Sequence, residues 1–513
     1  MSLRDRLPSR RLVLLAAVST ALLVGAYPPF SLILPSFVAL VPLLWALDEL
    51  RLRNAPVAEA AWVGYWFGVF VNGVTLYWMV IALWHFTPLS ALGYAASVLV
   101  VLSPQWALAA WATYRTSTRT RIPLWLGFSL IWTGVEWLQG HFGDLRFPWL
   151  GLGNSLVRLP TLVQWAEIGG ARGVTLWLAW ANVMVFLALS RRTWKPVVAL
   201  AVTVAAAAGY GTWRERTIVM RPVTTVAVLQ PNVGFNEKRE ERENIRLLNQ
   251  LLELTRRARQ DTSVRLVAWP EAAVPVYFVD HPGYADSVAE LSRAIGIPIL
   301  AGGLDAVFKP DGSYDNWNAA FLFEPDGRVH QRPYHKLYLV PIVERVPFIN
   351  PDWFGNMKWF GGFEAGDSLP VYRIAQGSFG VLICYESTFE DLARRYRKGG
   401  ADFLVNITND AWYGRSTAPA QHASHLVMRA IETRVGIARA ANSGISEFVD
   451  PLGRVHLSTP LLEERVEASP VLTTDIRTPY VRFGDWVALV AIVGSLACVA
   501  ASFMHRTPQG DTT

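Results

Sequence analysis

The sequence predicts an α+β membrane protein: eight transmembrane helices joined to a water-facing domain of layered strands and helices. Three observations predict it. Seven apolar stretches precede residue 211 and an eighth follows residue 485, and a helix that crosses a hydrocarbon layer needs roughly 20 largely apolar residues. Between them the pattern changes to short β-rich runs alternating with amphipathic segments, which argues for a mostly buried sheet under helices. The bulk composition is the average of these halves: 52% of the 513 residues are hydrophobic and the mean hydropathy is +0.25, high for a soluble enzyme and low for a chain embedded throughout.

The spans are expected near Leu12–Ala26, Leu32–Leu47, Ala60–Leu83, Leu89–Thr113, Leu124–Trp137, Val174–Leu189, Val197–Tyr210 and Trp486–Phe503. The first has the arginines and apolar core of a signal peptide, but "YPPF" follows it where a small-x-small cleavage site would stand, so it reads as an uncleaved helix. Twelve basic residues fall on one side of this arrangement: Arg4, Arg6, Arg10, Arg11, Arg51, Arg53, Arg115, Arg119, Arg121, Arg191, Arg192 and Lys195. The opposite connections hold only Arg146, Arg158 and Arg172 before the seventh span. The positive-inside rule makes the dozen cytoplasmic. The expected organisation is therefore helices one to seven over residues 1–213, a catalytic domain on the outer face over 214–485, and an eighth helix with a cytoplasmic tail over 486–513.

This distribution also disposes of nucleic acid as a partner, because much of the net charge of +6 is topological. Of the two cysteines, Cys498 lies in the last apolar span and Cys384 in the outer domain, which excludes a disulfide framework and metal sites built on cysteine pairs. No cofactor is expected.

In the outer domain "TTVAVLQPN", "VRLVAWPEA", "IPILAGGLDAV", "AAFLFEPDGRVHQR", "GSFGVLICYES" and "ADFLVNITND" read as strands. Helices are expected near Arg239–Arg259, Ser287–Ile295, Thr388–Lys398 and Ala420–Arg434, and "EPDGRV" and "DPLGRV" carry hairpin turn chemistry.

Three side chains stand at strand ends or among apolar neighbours. Cys384 ends a buried strand, where a thiol is either a small hydrophobe or a nucleophile facing a cleft. Glu271 follows a strand directly after Pro270. Lys336, in "PYHKLYLVPIVERVP", either snorkels or holds a thiolate or oxyanion. Together they suggest covalent catalysis: Glu271 takes the thiol proton, and Lys336, with the backbone N–H after Cys384, stabilises a tetrahedral oxyanion.

"WPE", a lysine 65 residues on and "CYE" a further 48 on resemble the nitrilase superfamily and its Glu-Lys-Cys triad. With eight spans around it, the whole chain resembles the apolipoprotein N-acyltransferases, through "EWLQGHFGDLRFPWLGLGNS", "VLQPNV", "NITNDAWYG", "QHASHLVMRAIETR" and "ARAANSGIS". The resemblance implies an αββα sandwich in a bacterial inner-membrane protein, catalytic domain on the periplasmic side. It implies a phospholipid acyl donor, a thioester on Cys384, a diacylated lipoprotein as acceptor, and a monomer. Carried over by position, Glu271 is the base, Lys336 the oxyanion stabiliser and Cys384 the nucleophile; Glu344 orients the lysine, and Tyr385 and Glu386 shape the pocket. Ile342-Val343 and Arg239 depart from the family pattern.

Three further features do not rest on the resemblance. "PDWFGNMKWFGGFEAG" gathers Trp353, Phe354, Met357, Trp359, Phe360 and Phe363, either folded onto its own domain or forming a lid that dips into the outer leaflet. His422 and His425 sit three apart on a helix and lack a third ligand at metal-site spacing, so a structural role is expected. Glu136 is costly if it faces lipid, and pairing with an arginine of the following loop, such as Arg146, is expected. Two rivals share these residues: a membrane-tethered amidase with water as acceptor, and a degenerate binding module on a transporter or assembly factor.

Overall fold

The structure, a computed structural model, describes residues 9–84, 89–234, 237–239, 241–310, 312–341, 343–345 and 362–504. It divides into two compact units, Met1–Arg216 with Asp485–Thr513, and Thr217–Gly484.

The first unit is helical. Among the described residues five helices are long and apolar enough to cross a membrane: Ile33–Leu52, Ser90–Arg119, Ala166–Arg191, Lys195–Thr217 and Trp486–Met504. Val57–Thr75 and Trp78–Trp84, bent by 58° at their junction, make a sixth if taken as one span. The count thus falls short of the expected eight. The stretch at Leu12–Ala26 forms the helix Arg10–Ala26, but it has only 17 residues. The stretch at Leu124–Trp137 forms Leu124–His141, whose Glu136, Gln139 and His141 dilute its apolarity.

Arg146 donates from Nε to the carbonyl of Gly143 at 2.9 Å; Glu136 pairs with another arginine of the stretch expected as the following loop. Its partner is Arg172, Nη1 to Oε2 at 3.1 Å, both side chains buried. Arg172 rides on a helix packed against that of Glu136, whereas Arg146 stands in the connecting loop and bonds locally. Thr175 Oγ1 donates to the same oxygen at 2.9 Å; Trp132 Nε1 and the Leu152 N–H donate to the other at 2.9 and 2.7 Å. A buried carboxylate is tolerable only when paired and hydrogen-bonded in this way.

The second unit holds two six-stranded sheets. The first, in the order β12-β1-β2-β3-β4-β5, comprises β1 (Arg221–Gln230), β2 (Val264–Ala268), β3 (Ile299–Phe308), β4 (Tyr314–Phe323), β5 (Tyr334–His335) and β12 (Arg465–Thr473). The second, in the order β11-β10-β9-β8-β7-β6, comprises β6 (Tyr372–Ile374), β7 (Gly377–Ile383), β8 (Phe403–Thr408), β9 (Ile437–Ala441), β10 (Glu447–Val449) and β11 (Val455–His456). The central pairs β1/β2, β2/β3, β7/β8 and β8/β9 are parallel. That is why β8 and β9 are buried along their whole length, Asn406 and Arg439 included.

The sheets face each other. Helices Asn244–Arg259 and Pro282–Ile295 cover the first, placing Leu248, Leu251, Val288 and Leu291 on Val267, Ile299 and Phe323. Glu390–Lys398 and Ala418–Thr433 lie against the second. The result is the αββα sandwich. Both expected hairpins form, with Glu324 N–H bonded to Arg328 O at 2.8 Å and Asp450 N–H to Arg454 O at 2.9 Å.

Removing Glu136 takes the carboxylate from the buried Arg172 guanidinium, so Glu136→Ala should destabilise the helical unit by about 3–5 kcal/mol. Thermal unfolding of the purified protein measures this; an unchanged melting temperature would mean that Arg172 finds another acceptor.

Candidate active site

Four chain segments, each leaving the end of a strand, build the site. Pro270 stops the β2 ladder, and the turn that carries Glu271 lies directly on Gly302 of β3. A Cβ there would stand 2.3 Å from the Pro270 carbonyl and 2.8 Å from the Glu271 Cα, so only glycine fits. Lys336 is the first residue after β5, with its N–H on the Asn318 carbonyl at 2.9 Å. Cys384 is the first after β7, at φ +52°, a left-handed conformation that non-glycine residues adopt where surrounding structure enforces it. It opens the short helix Cys384–Thr388, so the backbone N–H groups of that turn lie next to the sulfur. Asn409 and Asp410 follow β8.

All the polar side chains here are buried, and each is paired. Lys336 Nζ donates to Glu271 Oε1 at 3.2 Å and to Glu344 Oε1 at 2.8 Å. Asn318 Nδ2 donates to the same two oxygens at 2.7 and 3.1 Å. The second oxygen of Glu271 accepts the Asn409 N–H at 2.9 Å, and that of Glu344 accepts the Val340 N–H at 2.8 Å. Glu344, expected to orient the lysine, therefore does contact it.

Glu386, expected to shape the pocket, ties two segments together. Its carboxylate accepts the Tyr334 hydroxyl at 2.7 Å and the N–H groups of Leu337, Tyr338 and Ile383 at 2.7, 3.2 and 2.7 Å. It thereby clamps the segment that carries Lys336 to the strand that delivers Cys384. Tyr385 is buried, its ring edge-on to Phe389 at 5.1 Å. Trp353 and Trp359, with the rest of the expected lid before Gly362, lie outside the described residues, as does Ile342.

Sequence reasoning missed two groups. Lys238 is buried, and its Nζ donates to the carbonyls of Glu271 and Ala272 at 3.2 and 2.9 Å. Ala272 has φ +41°, so the ammonium holds a strained turn directly behind the Glu271 side chain. Asp410 accepts Thr408 Oγ1 at 3.0 Å and Arg439 Nη2 at 2.9 Å, and pairs with His422 Nδ1 at 3.0 Å. His422 thus serves this carboxylate. Among the described residues no group of three His, Cys, Asp or Glu side chains is placed to hold a metal ion.

Burial pushes the Cys384 thiol well above its ordinary range; Glu271 and Asp410 add to this, while Lys336 and a hydrogen bond with Thr408 oppose it. Burial alone would lower Lys336, but Glu271, Glu344 and the sulfur raise it on balance, so it stays a cation. Glu386 is raised by burial to about 7 against its four donors. Asp410, despite burial, is held at about 2 by Arg439 and His422. Burial lowers Lys238 to about 7, partly offset by Glu271.

With a neutral thiol, Glu271, Glu344 and Lys336 carry one net negative charge. A thiolate formed by proton loss to solvent would add a second in a desolvated place, whereas transfer of its proton to Glu271 leaves the total unchanged. The geometry therefore suits a thiol that attacks as its proton passes to Glu271, beside a fixed cation.

Two family models match the chain: carbon-nitrogen hydrolase over residues 225–483 and the apolipoprotein N-acyltransferase N-terminal domain over residues 19–184. An apolipoprotein N-acyltransferase of Geobacter metallireducens is 32% identical over 98% of this chain and 97% of its own. One of Chlorobaculum tepidum is 31% identical over 91% of each. Among solved structures, Saccharomyces cerevisiae Nit3, a member of branch 10 of the nitrilase superfamily, is 19% identical with a TM-score of 0.37, covering 49% of this chain and 90% of its own.

Glu386 holds its proton more tightly folded than unfolded, so its contribution is complete below its ordinary value of 4.5 and lost as pH rises through about 7. Relative to Glu386→Gln, which stays neutral, the wild type should lose on the order of 3 kcal/mol of stability between pH 5 and 8. A pH-independent difference in denaturation midpoints would contradict the assignment. Lys238→Met keeps the apolar stem and removes both carbonyl bonds; alkylation of Cys384 should slow about tenfold, and an unchanged rate would show that the turn at Ala272 holds itself.

Proposed function

The chain belongs to the apolipoprotein N-acyltransferase family, and on that premise we propose that it moves an acyl chain from a phospholipid, through a thioester on Cys384, to the N-terminal amine of a diacylglyceryl-cysteine lipoprotein. The observation that carries this reading is the buried contact of Lys336 with Glu271 at 3.2 Å, beside a cysteine on whose charge both act.

In the first half-reaction the Cys384 sulfur attacks the ester carbonyl while its proton passes to Glu271. The C–S bond forms, and the oxyanion is met by Lys336 and the N–H of Tyr385. On collapse the ester C–O bond breaks, and Glu271 returns the proton to the departing lysophospholipid oxygen. In the second, the neutral α-amine attacks the thioester and gives its proton to Glu271; the C–S bond breaks, and the thiolate recovers that proton. Glu344 holds Lys336 in place throughout.

Both substrates are lipids, which suits a catalytic unit joined to apolar helices. The arginine distribution supports eight spans in the bacterial inner membrane with the catalytic unit on the periplasmic side, and the chain acts as a monomer.

Incubation with phospholipid alone should add the mass of one acyl group to the intact protein, reversibly with hydroxylamine and not in Cys384→Ala. An unmodified wild-type mass would overturn the thioester. With a diacylglyceryl-peptide acceptor, label should leave the enzyme for the peptide; release chiefly as free fatty acid would identify a hydrolase instead.

A further inference from the structure

The helical unit contains a cavity of about 500 Å³ where the ends of Ile33–Leu52, Ser90–Arg119 and Ala166–Arg191 meet the start of Leu124–His141. Its size suits a small amphipathic ligand. Three arginines line it: Arg51, Arg121 and Arg191. Arg51 is committed to the Asp48 carboxylate, from Nε at 2.9 Å and Nη2 at 2.7 Å, and so cancels the one acid in the wall. Arg121 and Arg191 are exposed, and among the described residues neither makes an ion pair or hydrogen bond. The cavity therefore presents two uncommitted guanidinium groups. The remaining wall sets apolar side chains, Leu47, Leu124 and Phe186 among them, beside the hydroxyls of Thr113, Ser117, Thr120 and Ser190, and its apolar part is a contact that a free inorganic anion has no use for. Trp194, close after Arg191 in the chain and 69% exposed, is a residue type that collects where a bilayer meets water.

We propose that this cavity is a binding site for an anionic phospholipid, its phosphate on Arg121 and Arg191 and the upper part of an acyl chain along the apolar part of the wall. Basic pockets between membrane helices take up such headgroups, and guanidinium grips phosphate through paired N–H donors. The site stands apart from the Cys384 chemistry and does not depend on the acyl-transfer reading.

Native mass spectrometry of the delipidated full chain, titrated with phosphatidylglycerol or phosphatidylcholine, tests the proposal. One phosphatidylglycerol should bind, and Arg121→Gln with Arg191→Gln should weaken it roughly thirty-fold, from about fivefold per arginine. The control pair Arg10→Gln with Arg11→Gln removes as much charge outside the cavity and should change binding less than threefold. Ser190→Trp, which fills the cavity from its exposed rim and leaves every arginine in place, should also block binding. Equal weakening by both arginine pairs, equal affinity for phosphatidylcholine, or retained binding in Ser190→Trp would each overturn the site. Displacement of the lipid by millimolar inorganic phosphate would show a soluble anion to be the occupant and overturn it likewise.

Discussion

Two buried carboxylates, each rooted in one sheet and accepting hydrogen bonds from the other, fix how the two sheets of the second unit meet at the candidate site. Glu271 leaves the first sheet and accepts the Asn409 N–H from the second. Glu386 leaves the second and accepts the Tyr334 hydroxyl and the Leu337 N–H from the first. A sandwich held by apolar contact alone could slide by a fraction of an ångström at little cost, because dispersion is not directional. These bonds cannot tolerate that, since a buried carboxylate that loses its donors is left desolvated and unpaid. Position is thereby converted into free energy.

The same burial governs the chemistry. A desolvated sulfur resists ionisation, and a fixed Lys336 cation only partly offsets the neighbouring carboxylates. Negative charge can develop on sulfur at low cost only while Glu271 takes up the proton. Lys336 is then free to favour whichever atom becomes negative, first sulfur and then the carbonyl oxygen. In the proposed reaction Lys238 and Glu344 act through others: one holds the backbone at Glu271 and Ala272, and the other holds the Lys336 ammonium.

Much of this was legible in the sequence because strand ends announce themselves. "VAWPE" and "VLICYE" each run from apolar to polar where the ladder stops, and the layered architecture followed from the alternation of such runs. Other parts were not legible. β12 is an edge strand with Glu467 and Pro470 in its middle and little burial, so no apolar periodicity marks it. The clamping contacts of Glu386 were not legible because they reach backbone N–H groups about 50 residues away, which no local spacing reveals. Lys238 sits in a charged stretch where one lysine looks like any other; its burial arises only when the turn at Ala272 folds over it. Which arginine of the expected loop meets Glu136, Arg172 and not Arg146, has the same origin, since helix packing decided it.

The central claim is that Cys384 reacts only as its proton passes to Glu271. The rate of Cys384 alkylation by iodoacetamide as a function of pH, read by intact mass in the wild type and in Glu271→Gln, tests it most directly. The account predicts a reactive wild-type thiol near neutral pH and a loss of about a hundredfold or more in Glu271→Gln, with recovery only at strongly alkaline pH. Equal rates in the two proteins at pH 7 would mean that the sulfur is already ionised without the carboxylate, and would contradict it.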